Sequence, residues 1–140
     1  MVTVRILVVD DFKQWRLIVR SILECVPWFR VVGEASNGAE AVKEAATLLP
    51  DVVLLDVGMP HVNGIEAAKR IRQASPESKI IFLTQESDSE VREAALAAGA
   101  IAYLLKSGAR YELLATIETA MLTFQTAGVK LSVPESSSSL

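Results

Sequence analysis

Three aspartates, a threonine and a lysine stand at equivalent places in this sequence. Asp10 and Asp11 follow the apolar run Val4–Val9, and Asp56 follows Val52–Leu55. Thr84 follows Ile80–Leu83, and Lys106 follows Ile101–Leu105. If these runs are parallel strands of one sheet, all five residues reach the same edge, where open α/β sheets bind ligands. Three carboxylates gathered there raise one another's pKa, and a bound hard cation relieves the repulsion. Magnesium suits the set best, because it takes one or two carboxylates, keeps waters and completes its shell with phosphate oxygen.

Each residue alone has a plainer reading. Asp11 could cap a helix starting at Phe12, with Gln14 as third-position partner. Asp56 could open a turn before Gly58-Met59-Pro60. Thr84 could satisfy loop backbone, and Lys106 could be an ordinary surface lysine. The coincidence argues otherwise: independent cap and turn choices do not gather these types at one edge of successive apolar strands.

The elements that must position them alternate regularly. Four runs are nearly continuous in Val, Ile and Leu, as strands buried on both faces should be. The remaining one, Val31–Ala35 within the mixed segment Phe29–Ala35, reads as an edge strand. Between them lie helical stripes. Phe12, Trp15, Ile18, Val19, Ile22 and Leu23 form the first, ended by Pro27. Val42, Ala45, Ala46 and Leu49 form the second, stopped by Pro50. Ile65, Ala68 and Ile71 form the third, entered through Asn63-Gly64. Val91, Ala94, Ala95 and Ala98 form the fourth, with Ser87 and Glu90 spaced as a capping box and Gly99 as C-cap. Leu113, Leu114, Ile117, Ala120, Met121 and Phe124 form the fifth. Strict β-α alternation predicts a doubly wound parallel α/β sheet. In the flavodoxin-like order 2-1-3-4-5, a (βα)5 arrangement, strands one and three meet at the switch point and bring Asp10, Asp11 and Asp56 together.

The Asp-Asp pair, Asp56-Val57-Gly58-Met59-Pro60, Thr84 and Lys106 together resemble the receiver domain of bacterial two-component response regulators. The likeness runs from about residue 3 to 126. The segments Asn63-Gly64-Ile65-Glu66 and Leu105-Lys106-Ser107-Gly108 resemble the branch that precedes a helix-turn-helix output domain. The resemblance implies that Asp56 takes a phosphoryl group from a sensor histidine kinase or histidine phosphotransfer protein. It implies a Mg2+ site of Asp11 directly, Asp10 largely through water, Asp56 and the Gly58 carbonyl. Lys106 would face the phosphoryl oxygens, Thr84 would hydrogen-bond them, and Tyr103 would be the aromatic switch. The fourth helix, fifth strand and fifth helix would be the output face, and the fourth and fifth helices a homodimer contact. Enzymatic activity would be limited to self-catalysed phosphoryl acceptance and autodephosphorylation.

Two positions depart from that pattern. Gln85 stands where a small residue is usual and is expected to slow phosphorylation by small donors. Ser107 stands where Pro often follows the lysine, which makes a cis bond there far costlier. Two other readings of the site are a small metal-dependent Asp-nucleophile phosphohydrolase and a phosphorylation-independent interaction domain. The hydrolase lacks the second carboxylate such enzymes carry close after the nucleophile, since Val57 and Gly58 follow Asp56.

Composition narrows the remaining classes. With 140 residues the chain suits one domain, read as 1–126, with 127–140 a flexible tail or the start of a linker. Gly128–Pro134 resembles such a linker, and a stand-alone receiver and a piece of a larger regulator both stay open. The 14 Lys and Arg against 17 Asp and Glu leave no basic excess to bind nucleic acid directly. The single cysteine, Cys25, excludes an internal disulfide and a Cys-based zinc site. No apolar run reaches the ~18 residues of a membrane span, and no signal peptide is legible, so a cytoplasmic location is expected. His61 reads as a solvated loop histidine, and Trp15 and Trp28 as packing residues. No glycine-rich phosphate loop is present.

Overall fold

Every strand is followed by a helix, and all the strands run parallel. In the computed structural model, residues 2–60 and 62–129 are described, with side chains as far as Leu122. Strands β1 (Val4–Val9), β2 (Phe29–Ala35), β3 (Val52–Leu55), β4 (Lys79–Thr84) and β5 (Ala102–Leu105) form one sheet in the order β2-β1-β3-β4-β5. Helices α1 (Lys13–Leu23), α2 (Gly38–Leu48), α3 (Gly64–Ala74), α4 (Ser89–Ala97) and α5 (Ala109–Val129) alternate with them. A single 3-10 turn, Lys106–Gly108, leads into α5.

Strand alternation divides the apolar residues between two cores. Leu7, Val9, Val53, Leu55, Ile80 and Phe82 pack with α2, α3 and α4. Ile6, Val8, Val52, Leu54, Ile81 and Leu83 pack with α1 and α5. Because β3 and β4 are covered on both faces, all of their apolar residues are buried, which is why they read as unbroken runs. The half-buried pattern of β2 marks it as an edge.

Local signals place some helix boundaries differently from the sequence reading. Helix α1 begins at Lys13, and Phe12 precedes it in extended conformation, 63% exposed. Asp11 is not its cap: the carboxylate of Asp10 accepts the Phe12 N–H instead, at 2.9 Å. The apolar stripe of α1 is therefore Trp15, Val19, Ile22 and Leu23, while Ile18 faces outward with Phe12. In α2 the buried stripe is Gly38, Ala41 and Ala45, with Ala46 and Leu49 exposed. Leu49 ends that helix in the left-handed region, φ 47°, and the Arg5 guanidinium donates to the Leu48 and Leu49 carbonyls left open at the helix end. The cap of α4 is Asp88, whose carboxylate accepts from Glu90 N at 2.7 Å, not Ser87. Gly99 does follow α4 with positive φ, 110°.

Helix α5 continues to Val129, three residues into the segment read as tail. The rest of that segment and His61 lie outside the described residues. Among the described residues every peptide bond is trans, including the one between Lys106 and Ser107. No helix among them is long and apolar enough to cross a membrane.

Candidate functional site

The C-terminal ends of β1, β3, β4 and β5 bring the five sequence candidates to one edge. Asp10 and Asp56 enter side by side because β1 and β3 are paired neighbours. The Asp10 N–H donates to the Ala35 carbonyl at 3.0 Å and the Asp56 N–H to the Val9 carbonyl at 3.2 Å, so both are pinned as extensions of the ladder. Asp10, Asp11 and Asp56 each offer an oxygen, and these oxygens lie within 4.8 Å of one another. Asp10 and Asp56 are buried, at 2% and 7% exposure, whereas Asp11 is exposed.

Lys106 supplies the compensating charge. Its Nζ lies 2.7 Å from Asp10 Oδ2 and 3.5 Å from Asp56 Oδ2. The same ammonium sits 5.2 Å from the centre of the Trp15 ring, a cation–π distance. Burial pushes the Asp10 carboxyl above its ordinary range and the Asp56 charge adds to this, while Lys106 and the Phe12 N–H pull it down. A carboxylate cluster held at this cost and only partly neutralised by one ammonium is a fitting donor set for a small divalent cation.

The loop after Asp56 is shaped by the start of α3. Gly64 N donates to the Val57 carbonyl at 2.9 Å, and Asn63 caps the helix by accepting from Glu66 N. A Cβ at Gly64 would run into the Asp56 carbonyl oxygen and lie 2.7 Å from Val57 Cα, so only glycine allows this approach. Gly58 N approaches Asp56 Oδ1 at 3.4 Å, and a Cβ at Gly58 would meet open space. Thr84 ends β4, buried, opposite Leu105 and thus next to Lys106; its Oγ1 accepts from Glu86 N at 3.3 Å. Gln85 is exposed.

Tyr103 packs on the sheet and reaches the loop after β4. Its ring packs at 6.0 Å from that of Phe82, while its hydroxyl donates to the Glu86 carbonyl at 2.8 Å. It therefore ties β5 to the loop that Thr84 also holds. Burial raises the phenol's pKa, with Glu86 and Asp56 adding to it.

Sequence reasoning passed over a second layer. Arg16 donates from Nη1 to the Asp10 carbonyl at 2.7 Å and from Nε to Glu34 at 2.8 Å. Arg20 grips the same carboxylate at 2.6 Å, and Arg20 and then Arg16 hold the Glu34 carboxyl below its usual range against the effect of burial. The available signal was an Arg pair at i and i+4 on α1 beside a lone carboxylate in the strand adjoining β1. Trp15, read as packing, proves also to face Lys106.

A parallel five-stranded sheet in this order, with an acidic cluster and a lysine at its switch point, defines a flavodoxin-like α/β architecture with an acidic site in its crevice. Comparison with known proteins gives the family. The profile of the response regulator receiver domain matches residues 6–118, and the chain belongs to that family. It is 39% identical over 117 residues to the transcriptional regulatory protein LiaR of Bacillus subtilis, covering 84% of this chain and 56% of that protein. It is equally identical over 116 residues to the response regulator UvrY of Escherichia coli, covering 83% and 53%. Among solved structures, the response regulator domain of Thermotoga maritima CheB aligns with a TM-score of 0.79 at 35% identity, covering 85% of this chain and 96% of that one. The chain spans about half the length of LiaR and UvrY.

Proposed function

We propose that Asp56 accepts a phosphoryl group from a phosphohistidine of a sensor kinase or phosphotransfer protein. The observation that carries this is the convergence of three carboxylates and Lys106 at the crevice between β1 and β3. An Asp56 oxygen attacks phosphorus, the P–N bond to the histidine breaks, and its electron pair leaves with the ring nitrogen. Such a transfer needs positioning and charge neutralisation more than proton chemistry.

Asp10, Asp11, Asp56 and the Gly58 carbonyl would hold Mg2+. Bound there, the cation would neutralise the carboxylates and the phosphoryl oxygens together. Lys106, already at Asp56, turns its ammonium to the phosphoryl oxygens as a point charge. The Thr84 hydroxyl donates to one of those oxygens, which draws on the loop whose Glu86 N–H it now accepts. The Tyr103 hydroxyl is bound to that same loop, so the rearrangement reaches the surface of α4, β5 and α5. That surface carries a groove of about 330 Å³ lined by Arg92, Tyr103, Leu105, Ser107 and Glu112, where an output partner or a second copy would dock.

Incubation with Mg2+ and a phosphodonor, followed by intact-mass measurement, tests the reading. Wild type gains one phosphoryl group and Asp56→Asn gains none. A wild type left unmodified by a cognate kinase and by several small donors, or an Asp56→Asn variant modified as readily, would overturn it.

A further inference from the structure

We propose that Arg16 is a positioning residue for the cation site, acting through the peptide that joins Asp10 to Asp11. The inference rests on the reading of the acidic cluster as a Mg2+ site. No hydrogen bond or ion pair holds the Asp11 carboxylate among the described residues, so only its backbone aims it. The Asp10 carbonyl belongs to the peptide from which Asp11 departs, and Arg16 Nη1 holds that carbonyl at 2.7 Å. Arg16 is itself held: its Nε is on Glu34 Oε1, while Arg20 secures the other oxygen. The Asp10 N–H is fixed on Ala35, the residue after Glu34 in β2. One charged bridge between α1 and β2 therefore sets the turn from both sides.

The sign of the expected effect separates this role from electrostatics. Arg16 is a cation beside a cation site, so removing its charge alone favours Mg2+ binding. Removing it as an orienting group disfavours binding, because partners that orient metal ligands are worth about tenfold or more in affinity. A mere strut between α1 and β2 would lower stability and leave Mg2+ affinity unchanged or tighter.

The test is calorimetric titration of wild type, Arg16→Gln and Arg16→Lys with Mg2+, alongside thermal unfolding in chelator and in Mg2+. We expect Arg16→Gln to raise the Mg2+ Kd about tenfold and to shrink the Mg2+-induced rise in Tm. Arg16→Lys keeps the charge but has one nitrogen for two partners, so it weakens binding by a smaller factor. A folded Arg16→Gln variant with wild-type or tighter Kd overturns the proposal. Should that variant fail to fold, Arg16→Lys decides, and a Kd within about twofold of wild type, far short of an orienting residue's worth, overturns it. A wild type that binds no Mg2+ overturns the proposed function, and this inference with it.

Discussion

Replacing Lys106 with Met isolates the charge that holds the acidic edge together in the metal-free protein. Its ammonium faces Asp10 at 2.7 Å and Asp56 at 3.5 Å, and both carboxylates are buried. At an effective dielectric near 20 the gross attractions are about 6 and about 5 kcal/mol, much of which offsets desolvation of the three groups. Removing one partner of a buried pair leaves an uncompensated charge and costs about 3–5 kcal/mol. For a domain of this size, 3 kcal/mol lowers Tm by about 12 °C. The loss has a defined pH dependence. Asp10 already has a raised folded-state pKa, so its contribution is fully present below its unfolded value near 3.8 and is lost as pH rises through the folded one. Without Lys106 the folded value climbs further and the window extends upward. The deficit of Lys106→Met against wild type is therefore largest near neutral pH and shrinks on acidification. Thermal unfolding by circular dichroism in chelator, across that range, reads both quantities. A deficit under about 1 kcal/mol at neutral pH, the scale of a surface pair, would refute the reasoning. So would a deficit that does not change with pH.

Two further substitutions probe the loops around Asp56. Gly64→Ala drives a methyl against the Asp56 carbonyl and Val57 Cα, and is expected to destabilise by about 1–3 kcal/mol. Urea unfolding checks this, and an unchanged midpoint contradicts the close approach. Gln85→Ala is expected to speed phosphorylation by acetyl phosphate several-fold, about the effect of ~1 kcal/mol on the barrier. An unchanged rate, followed by intact mass over time, would show that exposed Gln85 does not restrict small donors.

Much of the architecture was legible because strand burial writes itself into composition. A strand covered on both faces has few polar positions, so β3 stood out as an unbroken apolar run, and β1 and β4 as runs interrupted only near their ends by Arg5, Lys79 and Thr84. The mixture in β2 marked it as an edge, whereas β5, which reads like a strand buried on both faces, is the other, half-buried edge. The helices were legible as elements but less so in phase. Phe12, Ile18 and Leu49 look like core residues by type, yet they face solvent. At α1 the Phe12 N–H is taken by Asp10 from the previous strand end, which delays the helix by one residue. At α4, Ser87 and Asp88 both suit a cap, and loop geometry selects Asp88.

Residue types and their places after successive strands were enough to nominate Asp10, Asp11, Asp56, Thr84 and Lys106, since parallel strands deliver their ends to one edge whatever the side chains do. Tertiary structure alone decided which groups touch. It put Lys106 closer to Asp10 than to Asp56, set Trp15 beneath it, and joined Tyr103 to Glu86. It also built the Arg16–Glu34–Arg20 bridge, in which Glu34 lies 18 and 14 residues along the chain from the two arginines. Such contacts depend on rotamers and on the packing of one helix against one strand, and no local pattern in the chain encodes that distance.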